Sequence, residues 1–128
     1  MKIAEVSERF DLSSDTLRYY ERIGLIRHVN RSASGIRDYN EIDIRRVEFI
    51  KCMRSAGLPI EALIEYVALV QQGDSTIEAR KEILIEQREQ LLARMAEMQK
   101  TLDIMNRKIS MYENAVLKRE KEIVQAAE

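Results

Sequence analysis

The stretch "DTLRYYERIGLI", residues 15–26, decides the fold of the first half of this 128-residue chain. Residues three, four and seven apart lie on one side of a helix, and here that side carries Asp15, Arg18, Tyr19 and Arg22. Leu17 and part of Tyr20 turn towards the protein instead. Guanidinium and phenol groups on one helix face suit phosphate oxygens and base edges. The stretch therefore predicts a helix that contacts nucleic acid.

The residues on either side set the limits of this helix. Ser13 can cap it by accepting a hydrogen bond from the amide three residues on, and Gly24 can supply the left-handed residue that follows its end near Ile23. A shorter helix over 3–10 precedes it, with apolar residues at i, i+3 and i+7. Two short helices joined by a tight turn predict a helix-turn-helix over residues 3–23.

Basic residues continue into "GLIRHVNRSASGIRDYN", residues 24–40. Two short extended runs, about 26–30 and 36–39, flank a Ser/Ala/Gly loop, which is the pattern of a β-hairpin. We call residues 26–40 the wing. Its arginines could reach a second stretch of nucleic-acid backbone, although the local excess of Lys and Arg alone is equally consistent with a solvated face.

The rest of the head, residues 1–73, is predicted to contain two further helices within 41–72. Ile44, Val47 and Ile50 give the first of them an inward face. Pro59 suits the first turn of the second, which extends to about Gln72.

The last long segment, residues 75–123, has the sharpest periodicity. Apolar residues alternate by steps of three and four, which predicts the seam of a coiled coil; its core is Leu91, Met95, Met98, Leu102, Met105, Ile109 and Tyr112. A single helix cannot bury this seam, so a homodimer is expected. An antiparallel overlap of roughly 23 residues would separate two DNA-reading helices by the 34–36 Å that a symmetric dimer needs. Residues 124–128 are predicted to be a tail.

Composition excludes several classes of function. No run approaches the 18 apolar residues of a membrane span, and the N-terminus lacks the pattern of a signal peptide, so we expect a cytoplasmic protein without a membrane partner. One cysteine and one histidine exclude an intramolecular disulfide and argue against a zinc site within one chain. The sequence contains neither the pattern of a catalytic nucleophile nor a phosphate-binding loop. We therefore expect that the protein is not an enzyme and has no catalytic residue, no metal and no cofactor. His28 is expected at the hairpin surface.

"DTLRYYERIGLI" and the downstream "RSASGIRDY" resemble the DNA-binding head of the MerR family of bacterial transcription regulators, and the order of elements is also similar. The resemblance implies an all-α fold with a small β-hairpin: a winged helix-turn-helix head and a long dimerisation helix in an antiparallel coiled coil. It implies a homodimer that binds a palindromic promoter with an over-long spacer and activates RNA polymerase there by underwinding and bending the double-stranded DNA. The DNA-binding residues that it implies are Thr16, Arg18, Tyr19, Tyr20, Arg31, Arg37 and Tyr39.

The stretch "EFIKCMRSAGL", residues 48–58, indicates which effector the regulator senses. It resembles the aldehyde- and electrophile-responsive branch of the family, the AdhR and NmlR type. The cysteine sets of metal-sensing relatives are missing. The resemblance implies that modification of Cys52 by an aldehyde or another electrophile is the switch. From the residues alone, Cys52 sits in the last turn of its helix, where the helix dipole and Glu48 disfavour a thiolate.

Two alternatives stay open. Cys52 is structural in the first, as a lone cysteine on a semi-apolar helix often is, and a different effector acts on the regulator. In the second, the chain is a coiled-coil interaction or scaffold protein whose basic head is incidental. That reading explains the periodicity of 77–123 but not "TLRYYERIGL" or the arginines of the wing.

Overall fold

The computed structural model describes residues 1–127. It divides into two compact units, residues 1–88 and the segment from Glu89 onwards. Its elements are α1 (Ile3–Phe10), α2 (Ser14–Arg22), α3 (Glu41–Ser55), α4 (Ile60–Gln71), a 3₁₀ turn (Asp74–Thr76) and α5 (Ile77–Ala127). The predicted all-α class, with a helix-turn-helix followed by a long C-terminal helix, is confirmed.

Local chemistry explains the turn between α1 and α2. Asp11 adopts a left-handed conformation (φ 52°) and its amide donates to the Ser7 carbonyl, which ends α1. Ser13 is extended, and its hydroxyl accepts a hydrogen bond from the amide of Thr16 at 3.0 Å. The predicted N-cap of α2 is therefore present, and it satisfies one of the amides that the start of a helix leaves without a partner.

Helix α3 begins with a reciprocal capping box. The Asn40 side chain accepts from the Asp43 amide at 2.9 Å, and the Asp43 carboxylate accepts from the Asn40 amide at 3.0 Å. Asp43 is buried, and it also accepts from Nε of Arg27 at 3.3 Å. This carboxylate therefore ties the start of the wing to the start of α3.

One hydrophobic core holds the first unit together. Every element up to α4, and the wing, contributes to it; its buried members are Val6, Phe10, Leu17, Tyr20, Leu25, Ile26, Val29, Tyr39, Val47, Ile50, Leu58 and Leu63. Pro59 occupies the N-cap of α4, just outside the predicted first turn. The Thr76 hydroxyl donates towards the carbonyls of Leu69 and Gly73, so the start of α5 is joined to the end of α4.

The predicted β-hairpin of the wing is not formed. Among residues 1–127 the wing has one isolated antiparallel bridge, Arg31 to Arg37, and no strand. Its loop is closed by the amide of Ser32, which donates to the Ile36 carbonyl at 2.7 Å. On the other side of the bridge the amide of Asp38 donates to the Asn30 carbonyl at 2.7 Å. No further backbone hydrogen bond of the described residues joins 26–29 to 38–40; the amide of Tyr39 donates to the Met1 carbonyl, and Ile26 and Val29 are buried in the core. The wing is therefore an ordered loop.

The second unit consists of helix α5 from Glu89 onwards. The helix continues beyond the predicted end at Ile123 to Ala127, because "VQAA" contains no Gly or Pro and ends in two good helix formers. Residues 124–127 are therefore helical where the sequence predicted a tail, and Glu128 lies outside the described residues.

Candidate nucleic-acid interface

The basic face of α2 is exposed and partly ordered by its own side chains. Arg18 donates to the Asp15 carboxylate at 2.9 Å and remains about half exposed. The guanidinium of Arg22 lies over the ring of Tyr19, with 5.3 Å from Cζ to the ring centroid. Thr16 is half-buried, and its hydroxyl is hydrogen-bonded to that of Ser13. Cations and a phenol therefore stand at a surface that a polyanion can approach.

Tyr20 and Tyr39, two of the residues that the resemblance implied, lie in the core. The ring of Tyr20 packs near that of Tyr19, with centroids 6.2 Å apart. Burial, followed by the nearby negative charge of Glu21, raises the pKa of Tyr39, and its hydroxyl is buried without a hydrogen-bond partner among the described residues. Both tyrosines support the surface from behind.

The wing presents its arginines in two ways. Arg31 is exposed, and its guanidinium donates to the Gly35 carbonyl across the loop at 3.1 Å. Arg37 is mostly covered, and its Nε donates to Oε1 of Glu21 at 2.8 Å. The structure therefore brings the wing against α2 through an ion pair that the sequence analysis did not predict.

A cleft between α2 and the wing collects these groups. It is open, has a volume of about 530 Å³, and is lined by Arg18, Glu21, Arg22, His28, Arg31 and Arg37. We call it the α2–wing cleft. Four guanidinium groups around an open cleft can bind an anion such as a backbone phosphate through charge-assisted hydrogen bonds.

Glu21 is the acidic member of the cleft, and its side chain is only 4% exposed. Burial opposes its ionisation, but hydrogen bonds from Arg37 and His28 outweigh this effect, so the pKa of Glu21 lies below its ordinary value. The carboxylate is therefore charged at neutral pH. The only sequence signal for this residue was an acid placed between arginines and tyrosines on the helix.

Cys52 is exposed on α3, one turn before the end of the helix. The neighbouring cations are engaged elsewhere: Lys51 donates to the Phe10 carbonyl, and Arg54 donates to the Leu58 carbonyl at 2.8 Å. Among residues 1–127 no group of three or more His, Cys, Asp or Glu side chains could hold a metal ion.

An apolar cavity of about 300 Å³ lies between α3 and α4. Phe49 and Tyr66 form part of its wall, with ring centroids 5.7 Å apart, and Arg45 and Arg46 also line it. Cys52 is not among the lining residues. A small apolar molecule could therefore occupy this cavity without touching the thiol.

The predicted coiled-coil seam is uncovered in the second unit. Leu91 is half-buried, and the other predicted members are exposed: Met95, Met98, Leu102, Met105, Ile109 and Tyr112. A contiguous exposed apolar stripe of this length marks an interaction surface. No helix within residues 1–127 is both long enough and apolar enough to cross a membrane.

Comparisons with known proteins agree with this geometry. The profile of the family described as "MerR HTH family regulatory protein" matches residues 1–70, and that described as "MerR, DNA binding" matches residues 44–107. The HTH-type transcriptional regulator AdhR of Bacillus subtilis strain 168 is 61% identical over 92 residues, which cover 72% of this chain and 66% of AdhR.

Two solved structures are also similar. A putative MerR family transcriptional regulator from Listeria monocytogenes has 45% identity and a TM-score of 0.89, covering 96% of this chain and 93% of the other. HiNmlR, described as a MerR family regulator lacking the sensor domain and bound to promoter DNA, has 26% identity and a TM-score of 0.79, covering 89% of this chain and 90% of HiNmlR.

Proposed function

Because the chain belongs to the MerR family of helix-turn-helix transcription regulators, we propose that it binds a palindromic promoter as a homodimer and activates transcription by distorting the DNA. The family membership makes it a DNA-binding regulator and not an enzyme. The proposal of a DNA-binding homodimer rests on two features of one chain: a basic, ordered α2–wing surface and an exposed apolar seam on α5.

The direct contacts to DNA come from the exposed side chains. Arg18 and Tyr19 on α2 reach base edges and backbone, Arg31 on the wing reaches a second stretch of backbone, and the amide end of the helix near Thr16 contacts a phosphate. Arg37 contributes from the edge of the cleft, where its Nε is already committed to Glu21.

Distortion is the mechanism by which such a dimer activates RNA polymerase. An over-long spacer keeps two promoter elements out of register, and bending with underwinding brings them back. Bending a site of 20–30 base pairs costs on the order of 1–6 kcal/mol. A small change in the distance or angle between two heads therefore decides whether the promoter is transcribed.

A gel shift with promoter DNA tests the DNA contacts. Arg18→Ala should weaken binding at moderate salt, and the loss of a phosphate contact should make the salt dependence shallower. Arg107→Ala is the matched control, since this residue is exposed on α5, far along the chain from α2. Equal affinities of the two variants, with both folded, would contradict the assignment of α2 to DNA.

The effector is an aldehyde or another electrophile that reacts with Cys52. Two observations support this: the sequence around Cys52 resembles the electrophile-responsive branch, and the thiol is exposed to solvent. In the reaction with an aldehyde, Sγ attacks the carbonyl carbon, the π electrons move to oxygen, and oxygen takes up the proton that the thiol has lost. The product is a reversible thiohemiacetal on α3.

Cys52→Ala tests this step. In transcription with purified polymerase, formaldehyde or methylglyoxal should activate the wild type and leave the variant unresponsive, while both bind DNA equally. Mass spectrometry of the treated wild type should find the adduct on the peptide that contains Cys52. A variant that still responds fully would eliminate the thiol as the sensor.

The cavity between α3 and α4 favours a second candidate, in which Cys52 is structural and a small apolar effector binds without a covalent bond. A response that survives Cys52→Ala but is lost in Val70→Phe, which fills the cavity, would establish this reading. Retention of the response in Val70→Phe would remove it.

A further inference from the structure

Glu21 is hydrogen-bonded to two side chains of the wing, those of Arg37 and His28. Its Oε1 accepts from Nε of Arg37 at 2.8 Å, and its Oε2 pairs with Nδ1 of His28 at 2.9 Å. The backbone of Val29 adds a further hydrogen bond. Three hydrogen bonds therefore stabilise this carboxylate, and burying a charge is costly unless such partners are in place.

Joining α2 to the wing does not by itself require a charge at position 21. An apolar residue at position 21 could join α2 to the wing without the cost of a buried charge. The carboxylate instead pairs with two residues that line the α2–wing cleft: His28, whose side chain is 98% exposed, and Arg37, which is mostly covered. The arrangement orders hydrogen-bonding side chains along the cleft.

We propose that Glu21 is a positioning residue that aligns Arg37 and His28 for one backbone phosphate in the α2–wing cleft, and that binding of this phosphate takes up a proton at His28. The proposal rests on the proposed function and deepens it. It assigns to the single histidine of the chain a role in DNA affinity.

The two nitrogens of the His28 imidazole have different roles in this proton uptake. Nδ1–H donates to Glu21, so in the neutral ring Nε2 carries a lone pair, which repels a phosphate oxygen. Protonation converts Nε2 into a donor that can reach the phosphate. The cleft that His28 lines contains one acid, Glu21, and four guanidinium groups, those of Arg18, Arg22, Arg31 and Arg37. A bound phosphate adds negative charge beside the ring, and a protonated ring can donate to it.

Fluorescence anisotropy with a labelled 30-base-pair duplex of arbitrary sequence tests the proposal, because a phosphate contact needs no particular base. The full-length wild type should bind about fivefold more tightly at pH 6.0 than at pH 8.0, since histidine changes charge in this interval. His28→Gln keeps a donor towards Glu21 but cannot be charged. It should bind equally at both pH values, with the affinity of the wild type at pH 8.0.

The salt dependence supplies a readout that a structural role would not alter. At pH 6.0 the slope of log K against log salt should be shallower in His28→Gln by about 0.9 for each protomer that engages a phosphate, and unchanged at pH 8.0. The same pH dependence in wild type and His28→Gln would overturn the proposal. Since His28 is exposed, this variant keeps its fold, which circular dichroism checks.

Glu21→Gln separates positioning from simple electrostatics. Removing a negative charge beside DNA should strengthen binding if electrostatics alone matters, whereas loss of alignment weakens it. We expect weaker binding at both pH values, and equal or tighter binding would refute the positioning role. Failure of the proposed function looks different: the wild type would then not bind DNA at any pH, whereas failure of this inference leaves DNA binding whose pH dependence is the same in wild type and His28→Gln.

Discussion

Replacing Leu102 with alanine should weaken the dimer measurably. The Leu102 side chain lies on the predicted seam and is 49% exposed in the single chain. Complete burial of a leucine is worth about 1.5–3 kcal/mol, so covering the exposed half contributes about 0.8–1.5 kcal/mol per protomer. A symmetric interface contains the residue twice, which gives about 1.5–3 kcal/mol per dimer and a dissociation constant about 10–150 times larger.

Sedimentation equilibrium over a range of protein concentrations measures this constant. Leu117→Ala is the matched control, because Leu117 is a leucine of similar exposure, 55%, on the same helix but outside the seam. It should dimerise like the wild type. If Leu102→Ala associates as tightly as the wild type, or if both variants lose affinity equally, the apolar stripe is not the dimer seam.

Three further predictions concern stability, measured by urea unfolding. The pKa of Glu21 is lowered in the folded state. Its contribution to the free energy of unfolding is therefore complete above the pKa of about 4.3 in the unfolded chain, and it is lost as the pH falls through the lower pKa of the folded state. Glu21→Gln should therefore make the free energy of unfolding less dependent on pH between about pH 3 and 6. Ser13→Ala removes the cap of α2 and should cost about 1 kcal/mol, whereas Ser34→Ala in the exposed loop should stay within about 0.5 kcal/mol. Ile50→Ala, at a site 1% exposed, should cost about 2–5 kcal/mol. Ile42→Ala, 51% exposed on the same helix, should cost only about 0.8–1.5 kcal/mol, half the value of a fully buried side chain; equal losses in either pair would contradict these assignments.

Helices were predictable because their signals are local. The spacing of apolar residues in 3–10 and the extended Ser13 before α2 depend on neighbours within one or two turns, and both are seen in the structure. The long periodicity of α5 is equally local, since each seam residue repeats the one three or four positions before it.

The wing and the ion pairs of the cleft were harder to predict from the sequence. How far residues 26–30 pair with 36–39 depends on packing against distant groups, and here the pairing stops at the Asp38 amide, which donates to the Asn30 carbonyl, while the Tyr39 amide bonds to Met1. Arg37 and Glu21 are sixteen residues apart, on a loop and a helix. No periodicity connects such positions, so the buried carboxylate at the centre of the candidate interface appears only in three dimensions.

The uncovered seam of α5 also determines how the regulator responds to its own copy number. If only the dimer occupies an operator, then below the dissociation constant the amount of active species varies with the square of the total protein, because two chains must meet. Doubling the supply of chains would raise the dimer concentration about fourfold in that regime, and the occupancy of a mostly empty operator with it. The stripe from Leu91 to Tyr112 would thus make promoter activity a steeper function of gene dosage than a monomeric repressor or activator could.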